Sequence, residues 1–429
     1  MSEFTDSIRD HKLYKRLKDV STMLPPPSVF KNRLDHTEDV VKVAKKIKES
    51  FDKNGILAEF PYYLEESCLI HDIGHCSFSH ECEAAFNEFA CKKLGITKKE
   101  FSFKHSVNGA LVLASAAYPS KKKKDPKNEP LQRLDVFNNY DKIDIDRVVE
   151  GMIKHSINDD VINGLYYDFV KRLYKEKTNG HNLPVSNKEK DNNAIVYYVR
   201  VADDIATKNS DLIDLFHLYH NDEYMLLFGT EHACKNDSIQ DFYIKKITHL
   251  ISSPNHGNIE QTMKSISEYR LEKEFLELTY SYEPKQSITS NLNTLIIELL
   301  ELVCKKPVLF RTEKSSASII YSFKDNGNIP INYSRSIKFI RNVCKRNGIS
   351  LNEEDMGALE EEYRKRPSKD NPSFKVFSDY ICSLVYEMSS FTDISLLDFA
   401  RRVSGKLSKK GLSSLYYLEQ VFTKKVRKV

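Results

Sequence analysis

The chain lacks a long hydrophobic run and contains little glycine or proline. Its longest apolar stretch, Ala110 to Tyr118 with one serine inside it, is far shorter than the roughly 18 residues that a membrane-spanning helix needs. Only 14 of the 429 residues are glycine and 14 are proline, which excludes collagen-like and wholly disordered classes. We therefore expect a folded chain that makes no use of a membrane.

Other missing features limit the cell compartments and the classes of partner that we expect for this chain. The first residues, MSEFTDSIRDHKLY, are charged and carry no apolar signal region, so we expect a cytoplasmic location. The eight cysteines form no CxxC pair, which indicates reduced thiols rather than a disulfide framework or a zinc ribbon. A formal net charge of +4 is too small for this length to imply a nucleic-acid partner by itself.

The hydrophobic pattern predicts a mainly helical chain. Apolar residues recur three and four positions apart in many segments, and strict alternation is rare. A length of 429 residues exceeds one compact core, so we expect a main domain of roughly 200 residues with a second body. The clearest apolar stripes are Val40, Val41, Ala44 and Ile47; Ile195, Val199, Ala202 and Ala206; and Leu292, Leu295, Ile296, Leu299, Leu300 and Val303.

One segment, HDIGHCSFSH at residues 71–80, contains three of the thirteen histidines together with an aspartate. A helix would place His71 and His75 on one face, with the carboxylate of Asp72 beside them. Imidazole and carboxylate ligands suit a divalent ion: Mg²⁺, Mn²⁺ or another transition metal. The predicted ligands, in an H…HD…D pattern, are His36, His71, Asp72 and Asp203. Isolated histidines are interpreted as core residues, among them His105, His217 and His249.

Several blocks, in the same order along the chain, resemble a known family. The sequence is similar to the deoxynucleoside triphosphate triphosphohydrolases of the HD superfamily, which include the bacterial dGTPases. The strongest blocks are RLKD (16–19), NRLDH (32–36), HDIGHCSFSHECE (71–83), FKH (103–105), GMIKH (151–155) and ADDIA (202–206). Weaker similarity extends through KPVL (306–309) to DYI (379–381).

The resemblance implies an architecture. It points to an all-α fold with a helical HD core and an additional C-terminal helical region. We expect an N-terminal segment at 1–30 that contributes to the site, a catalytic core at 31–220 and the C-terminal region at 221–429. It also suggests assembly into a symmetric homo-oligomer.

Roles for individual residues follow from the resemblance and from the chemistry of the leaving group. Release of a nucleoside expels a 5′-alkoxide, a poor leaving group, so a proton donor near the metal is needed. His80 is the predicted donor, and Glu83, on the same helical face, would orient it or activate water. The predicted catalytic residues are His75, His80 and Glu83. The predicted substrate-binding residues are Arg33, Lys154, Thr207, Asp211 and Tyr380.

Arg33 matches a phosphate-binding arginine of the family, and its charged fork suits a triphosphate. The alternative for Arg33 is a surface ion pair. Two sugar-recognition positions depart from the family, which has a tyrosine where this chain has Thr207 and a glutamine where it has Thr22. We therefore predict weaker discrimination between deoxy- and ribonucleotides than the family shows.

Three functions remain open at the level of sequence. The first is a metal-dependent triphosphohydrolase that converts a nucleotide to nucleoside and tripolyphosphate. The second is an HD phosphohydrolase for another nucleotide or phosphoester. The third is a non-catalytic module that binds a nucleotide or single-stranded nucleic acid, and only the basic residues 424–428 favour it.

Overall fold

The structure of the chain is a computed structural model. The described residues are 3–22, 32–53, 63–117, 145–154, 159–178, 180–184, 195–196, 198–207, 283–305 and 372–423. Within these ranges every regular element is a helix, and the only β-type pairing is an isolated bridge between Ser21 and Asn32. The prediction of an all-α fold is confirmed.

The described part of the N-terminal half contains nine named α-helices. They are α1 (Glu3–Asp10), α2 (Lys12–Lys15), α3 (Arg33–Lys53), α4 (Leu64–Ile70), α5 (Ser79–Leu94), α6 (His105–Ala117), α7 (Ile145–Lys154), α8 (Asp159–Ile162) and α9 (Leu165–Lys177). A 3₁₀ helix, Arg16–Asp19, follows α2, and residues 198–207 are also helical.

The C-terminal half supplies four more within the described ranges. They are α10 (Glu283–Lys305), α11 (Pro372–Met388), α12 (Asp393–Arg402) and α13 (Lys409–Thr423), with a 3₁₀ helix at Ser404–Lys406.

Apolar stripes join these helices into one core. Helix α3 packs on α4, α6 packs on α7 and α9, and α5 packs on α10 and α11. The residues of the three predicted stripes are all buried. Burial of apolar side chains therefore holds two C-terminal helices, α10 and α11, directly against the helix α5 that carries His80 and Glu83.

Helix α10 also passes a simple length and composition test for a membrane span, over Gln286–Cys304. Core helices of water-soluble proteins pass the same test, and the apolar side of α10 packs against α5 and α13. Polar residues, among them Glu298 and Glu301, divide this segment into short apolar runs. The expectation that no membrane is involved stays a prediction.

The predicted domain boundaries, near residues 30 and 220, lie outside the described residues. So do the basic residues 424–428, together with His217 and His249. The domain division therefore stays a prediction.

Candidate active site

The segment that carries His71 and Asp72 is a turn rather than a helix. Helix α4 ends at Ile70, and residues 71–74 form successive turns. The prediction that His71 and His75 share a helical face is therefore wrong. Side chains from other elements donate hydrogen bonds to carbonyl oxygens that would accept from backbone amides if the helix continued. Arg16 donates to the carbonyl oxygens of Ile73 (3.2 Å) and His75 (2.6 Å).

A close approach of helix α6 completes this turn. The side-chain amide of Asn108 donates to the carbonyl oxygen of Gly74 at 2.8 Å. A Cβ atom on residue 74 would lie only 2.0 Å from the carbonyl oxygen of His105. Glycine is therefore required at position 74 to let α6 bring His105 next to His75.

The four predicted metal ligands converge in the structure. His36 lies in the first turn of α3, which begins at Arg33 because the side chain of Asn32 caps it by accepting from the amide of Asp35. The ring nitrogen Nε2 of His36 lies 3.0 Å from Oδ1 of Asp203.

His71 and Asp72 complete the group. Nε2 of His71 lies 3.6 Å from Oδ1 of Asp203 and 3.4 Å from Oδ1 of Asp72. Nε2 of His36 lies 3.7 Å from Oδ2 of Asp72. We call these four residues, His36, His71, Asp72 and Asp203, the metal cluster.

The donor set of the metal cluster fits a divalent ion. One nitrogen from each histidine and an oxygen of Asp203 lie within 4.8 Å of one another, close enough to share an ion. Nδ1 of His71 lies 2.6 Å from the carbonyl oxygen of Cys68, which can only accept. This contact places the ring proton on Nδ1 and aims the Nε2 lone pair of neutral His71 at the carboxylates, as metal ligation requires.

Charges within the metal cluster are strongly coupled. Burial raises the pKa of Asp72, but His71 and Arg33 outweigh this effect and hold it well below its usual value. Burial lowers the pKa of His71, but Asp72 and Asp203 outweigh it and raise the pKa to about 9 in the metal-free chain. The cluster is therefore an anionic pocket that favours a positive charge, either a proton or a metal ion.

Arg33 lies beside the metal cluster. Its Nη1 donates to Oδ2 of Asp72 and its Nε to Oγ of Ser79, each at 2.9 Å. The ion pair expected as the alternative is therefore present, with Asp72, but it is buried rather than at the surface, since only 7% of Arg33 is exposed. Arg33 links the metal cluster to the start of α5, and its predicted role in phosphate binding stays a prediction.

A second group of side chains lies next to the metal cluster. His75, His80, Glu83 and His105 each offer a nitrogen or oxygen atom within 4.8 Å of the others. We call it the histidine–glutamate group. Its link to the metal cluster is the 3.1 Å separation between Nε2 of His75 and Oδ1 of Asp72.

Glu83 contacts both His105 and His80 in the histidine–glutamate group. Its Oε1 accepts from the backbone amide of His105 at 3.1 Å and lies 2.6 Å from Nδ1 of the same residue. Its Oε2 lies 3.5 Å from Nδ1 of His80. Burial raises the pKa of Glu83, but the nearby His105 and His80 outweigh it, so the carboxyl group is ionised.

The three histidines of this group differ in exposure. The side chain of His80 is 61% exposed, whereas His75 and His105 are buried. The rings of His75 and His105 stack with centroids 3.7 Å apart. Burial, together with the charges of Arg33 and His105, holds the pKa of His75 well below its usual value, so this ring is neutral. Of these three rings, only that of His80 is open to solvent.

His105 is the residue that sequence reasoning missed. Its interpretation as a core histidine captured its burial but not its position between Glu83 and the stacked ring of His75. Its place in the FKH block, which resembles an element of the HD-superfamily triphosphohydrolases, was the signal that could have identified it.

The predicted substrate-binding residues have different placements. Thr207 is exposed, and its hydroxyl group lies 3.4 Å from Oδ1 of Asp203. The hydroxyl group of the buried Tyr380 donates to the carbonyl oxygen of Cys304, in the contact between α11 and α10. Asp211 and the side chain of Lys154 lie outside the described residues. Their role in substrate binding stays a prediction for all of these positions.

Comparison with known proteins identifies the domain that contains both groups. A family model of the HD domain matches residues 33–207. A search of the curated proteins found no match for the chain. The matched range begins with Arg33 and ends with Thr207, so it spans the metal cluster and the histidine–glutamate group. The HD domain and its His/Asp cluster support a hydrolase of the metal-dependent phosphohydrolase type.

Proposed function

We propose that this HD domain is the catalytic part of a nucleoside triphosphate triphosphohydrolase, which releases nucleoside and tripolyphosphate. The observation that carries the proposal is the exposed histidine His80, in a group that adjoins the metal cluster through His75 and Asp72. A module that only binds nucleotides has no need of a proton donor at this place. The resemblance of the sequence to the deoxynucleoside triphosphate triphosphohydrolases supports the choice of substrate.

A divalent metal ion held by the metal cluster would supply Lewis-acid activation of a phosphoryl oxygen. His36, His71, Asp72 and Asp203 are the residues that would hold it. The mixed nitrogen and oxygen ligands are compatible with Mg²⁺, Mn²⁺ or another transition metal.

Proton delivery to the leaving nucleoside is the task of His80. Its ring is exposed, so it can reach the O5′ atom of a bound nucleotide and regain its proton from solvent. The ionised carboxylate of Glu83 lies 3.5 Å from Nδ1 of His80, close enough to orient the ring. His80 therefore acts as general acid in this proposal, and Glu83 orients it.

Phosphate and sugar recognition involve the remaining residues. Arg33 carries a permanent positive charge at the edge of the metal cluster and would attract the triphosphate. Thr207 stands where the family has an aromatic ring, and its hydroxyl group is close to Asp203. In this proposal the pocket admits a 2′-hydroxyl group more readily than an aromatic wall would allow.

Product analysis tests the proposal. The purified chain would be incubated with each deoxy- and ribonucleoside triphosphate in the presence of Mg²⁺ or Mn²⁺, and the products separated by anion-exchange chromatography. We expect nucleoside and tripolyphosphate in equal amounts. Pyrophosphate or orthophosphate would indicate another HD phosphohydrolase reaction, and binding without any product would indicate the non-catalytic module.

A further inference from the structure

The turn that leads into helix α5, between His75 and His80, has an unfavourable backbone conformation. Phe78 (φ 53°) and Ser79 (φ 50°) are consecutive residues in the left-handed region, and neither is glycine. Non-glycine residues adopt this conformation only where surrounding contacts enforce it. The turn lies directly before His80, so its shape sets the direction in which α5 leaves the metal cluster.

A carboxylate from the far end of the chain enforces this turn. Oδ1 of Asp393, the first residue of α12, accepts from the backbone amide of Phe78 at 2.7 Å. Oδ2 accepts from the backbone amide of Ser21 at 3.0 Å and from its hydroxyl group. Asp393 is buried, and burying a carboxylate is unfavourable unless hydrogen bonds compensate for lost hydration. Burial raises the pKa of Asp393 to about 6, and the three hydrogen bonds offset part of this effect.

Ser21 connects the same carboxylate to the second residue of the turn. The hydroxyl group of Ser79 donates to the carbonyl oxygen of Ser21 and accepts from Nε of Arg33. Residues from the N-terminal segment and from α12 therefore hold both left-handed residues. The contact bridges 315 positions of sequence between Phe78 and Asp393.

Helix α12 does not need Asp393 in order to begin. Its cap is Thr392, whose side chain accepts from the backbone amide of Ser395 while the Ser395 hydroxyl group accepts from the amide of Thr392. This reciprocal pair of hydrogen bonds gives partners to two backbone amides at the start of the helix. Both oxygens of the Asp393 carboxylate instead face the N-terminal segment and the turn before α5.

We propose that Asp393 is a positioning residue, which fixes the Phe78–Ser79 turn and thereby sets His80 and Glu83 beside the metal cluster. Its kinetic consequence rests on the proposed function, because turnover is what the positioned side chains produce. The inference makes the C-terminal helical region part of the catalytic unit, although α12 lies outside the range that matches the HD domain.

The test compares two substitutions at the start of α12. Asp393→Asn keeps the shape of the side chain but replaces one carboxylate oxygen by an NH₂ group. This group cannot accept the hydrogen bonds that Asp393 accepts from Phe78 or from Ser21. We expect kcat to fall on the order of ten- to hundredfold, the usual effect of misplaced catalytic groups, with KM and bound metal near the wild-type values. Thr392→Ala removes the helix cap, so it should lower the melting temperature and leave kcat unchanged. Asp398→Asn, on the same helix, is the neutral control.

Each outcome decides the proposal. A fall in kcat that follows the melting temperature equally in Thr392→Ala and Asp393→Asn would mean that Asp393 only stabilises the fold. Unchanged kcat in folded Asp393→Asn would also overturn the proposal. If Asp393→Asn does not fold, Asp393→Glu replaces it, because it retains the charge and displaces the carboxylate by one methylene group.

A crystal structure of the same variant gives a readout that does not depend on turnover. We expect the Phe78–Ser79 turn and the His80 ring to be displaced in it, whereas an unchanged turn would contradict the proposal. If the wild-type chain showed no turnover but the variant showed a displaced turn, the proposed function would fail and the positioning role would stand.

Discussion

Replacement of His80 by alanine separates proton delivery from metal binding. The ring is 61% exposed, and its polar contact within the described residues is the 3.5 Å separation from Glu83. Loss of such a side chain changes the free energy of unfolding by only about 0.5 kcal/mol. It leaves the metal cluster intact, because none of the cluster's four ligands depends on His80 for a hydrogen bond.

The effect on the rate should be far larger than the effect on stability. A positioned general acid contributes roughly 10²- to 10⁴-fold to the rate, which corresponds to about 3–5 kcal/mol of transition-state stabilisation. We therefore expect His80→Ala to lower kcat at least about a hundredfold while KM, metal content and melting temperature stay close to wild type. Steady-state kinetics, metal analysis and thermal unfolding on the same preparation measure all four quantities.

A matched control is available in His181, an exposed histidine in the turn after α9. His181→Ala should leave both kcat and metal content unchanged. If His80→Ala lost its metal and kept a normal rate per metal-loaded site, His80 would be a ligand. The division of the active site into a metal cluster and a separate proton donor would then be wrong.

Three further predictions address the sugar, the backbone and pH. Thr207→Tyr should raise the preference for deoxynucleotides in competition assays with paired dNTP and NTP substrates, and an unchanged ratio would show that other residues form the sugar wall. Gly74→Ala should lower the free energy of unfolding by about 3 kcal/mol, because its Cβ would lie 2.0 Å from the carbonyl oxygen of His105; Gly405→Ala, with open space around the added atom, should be nearly neutral in the same denaturant titration. Because the pKa of metal-free His71 is about 9, a metal ion must displace its proton below that pH. Calorimetric titration between pH 6 and 8 should therefore show metal affinity rising by about tenfold per pH unit, and a flat profile would contradict the ligand assignment.

Much of the site could be predicted from local sequence. The density of histidines in residues 71–80 and the apolar stripes of the helices are short-range patterns, and they led to the metal cluster and to the all-α fold. His36 and Asp203 are distant in sequence, and they could be chosen because each stands on an amphipathic helix within a block that resembles the HD superfamily.

Two turns of the active site could not be predicted from the sequence because contacts with distant residues determine them. The turn at residues 71–74 depends on Arg16 and Asn108, which take carbonyl groups that a continuous helix would use. The Phe78–Ser79 turn depends on Asp393, far along the chain. No local periodicity encodes such contacts, and the local pattern therefore predicts a helix where the structure has turns.

The measurement that tests the central claim most directly is metal content together with turnover in His71→Ala and Asp72→Ala. Each substitution removes one of the four converging ligands, while apolar packing continues to hold the helices. We predict that both variants lose bound metal and triphosphohydrolase activity and keep the helical circular dichroism of the wild type. Normal metal content and normal turnover in both variants would contradict the assignment of this cluster as the metal site of a phosphohydrolase.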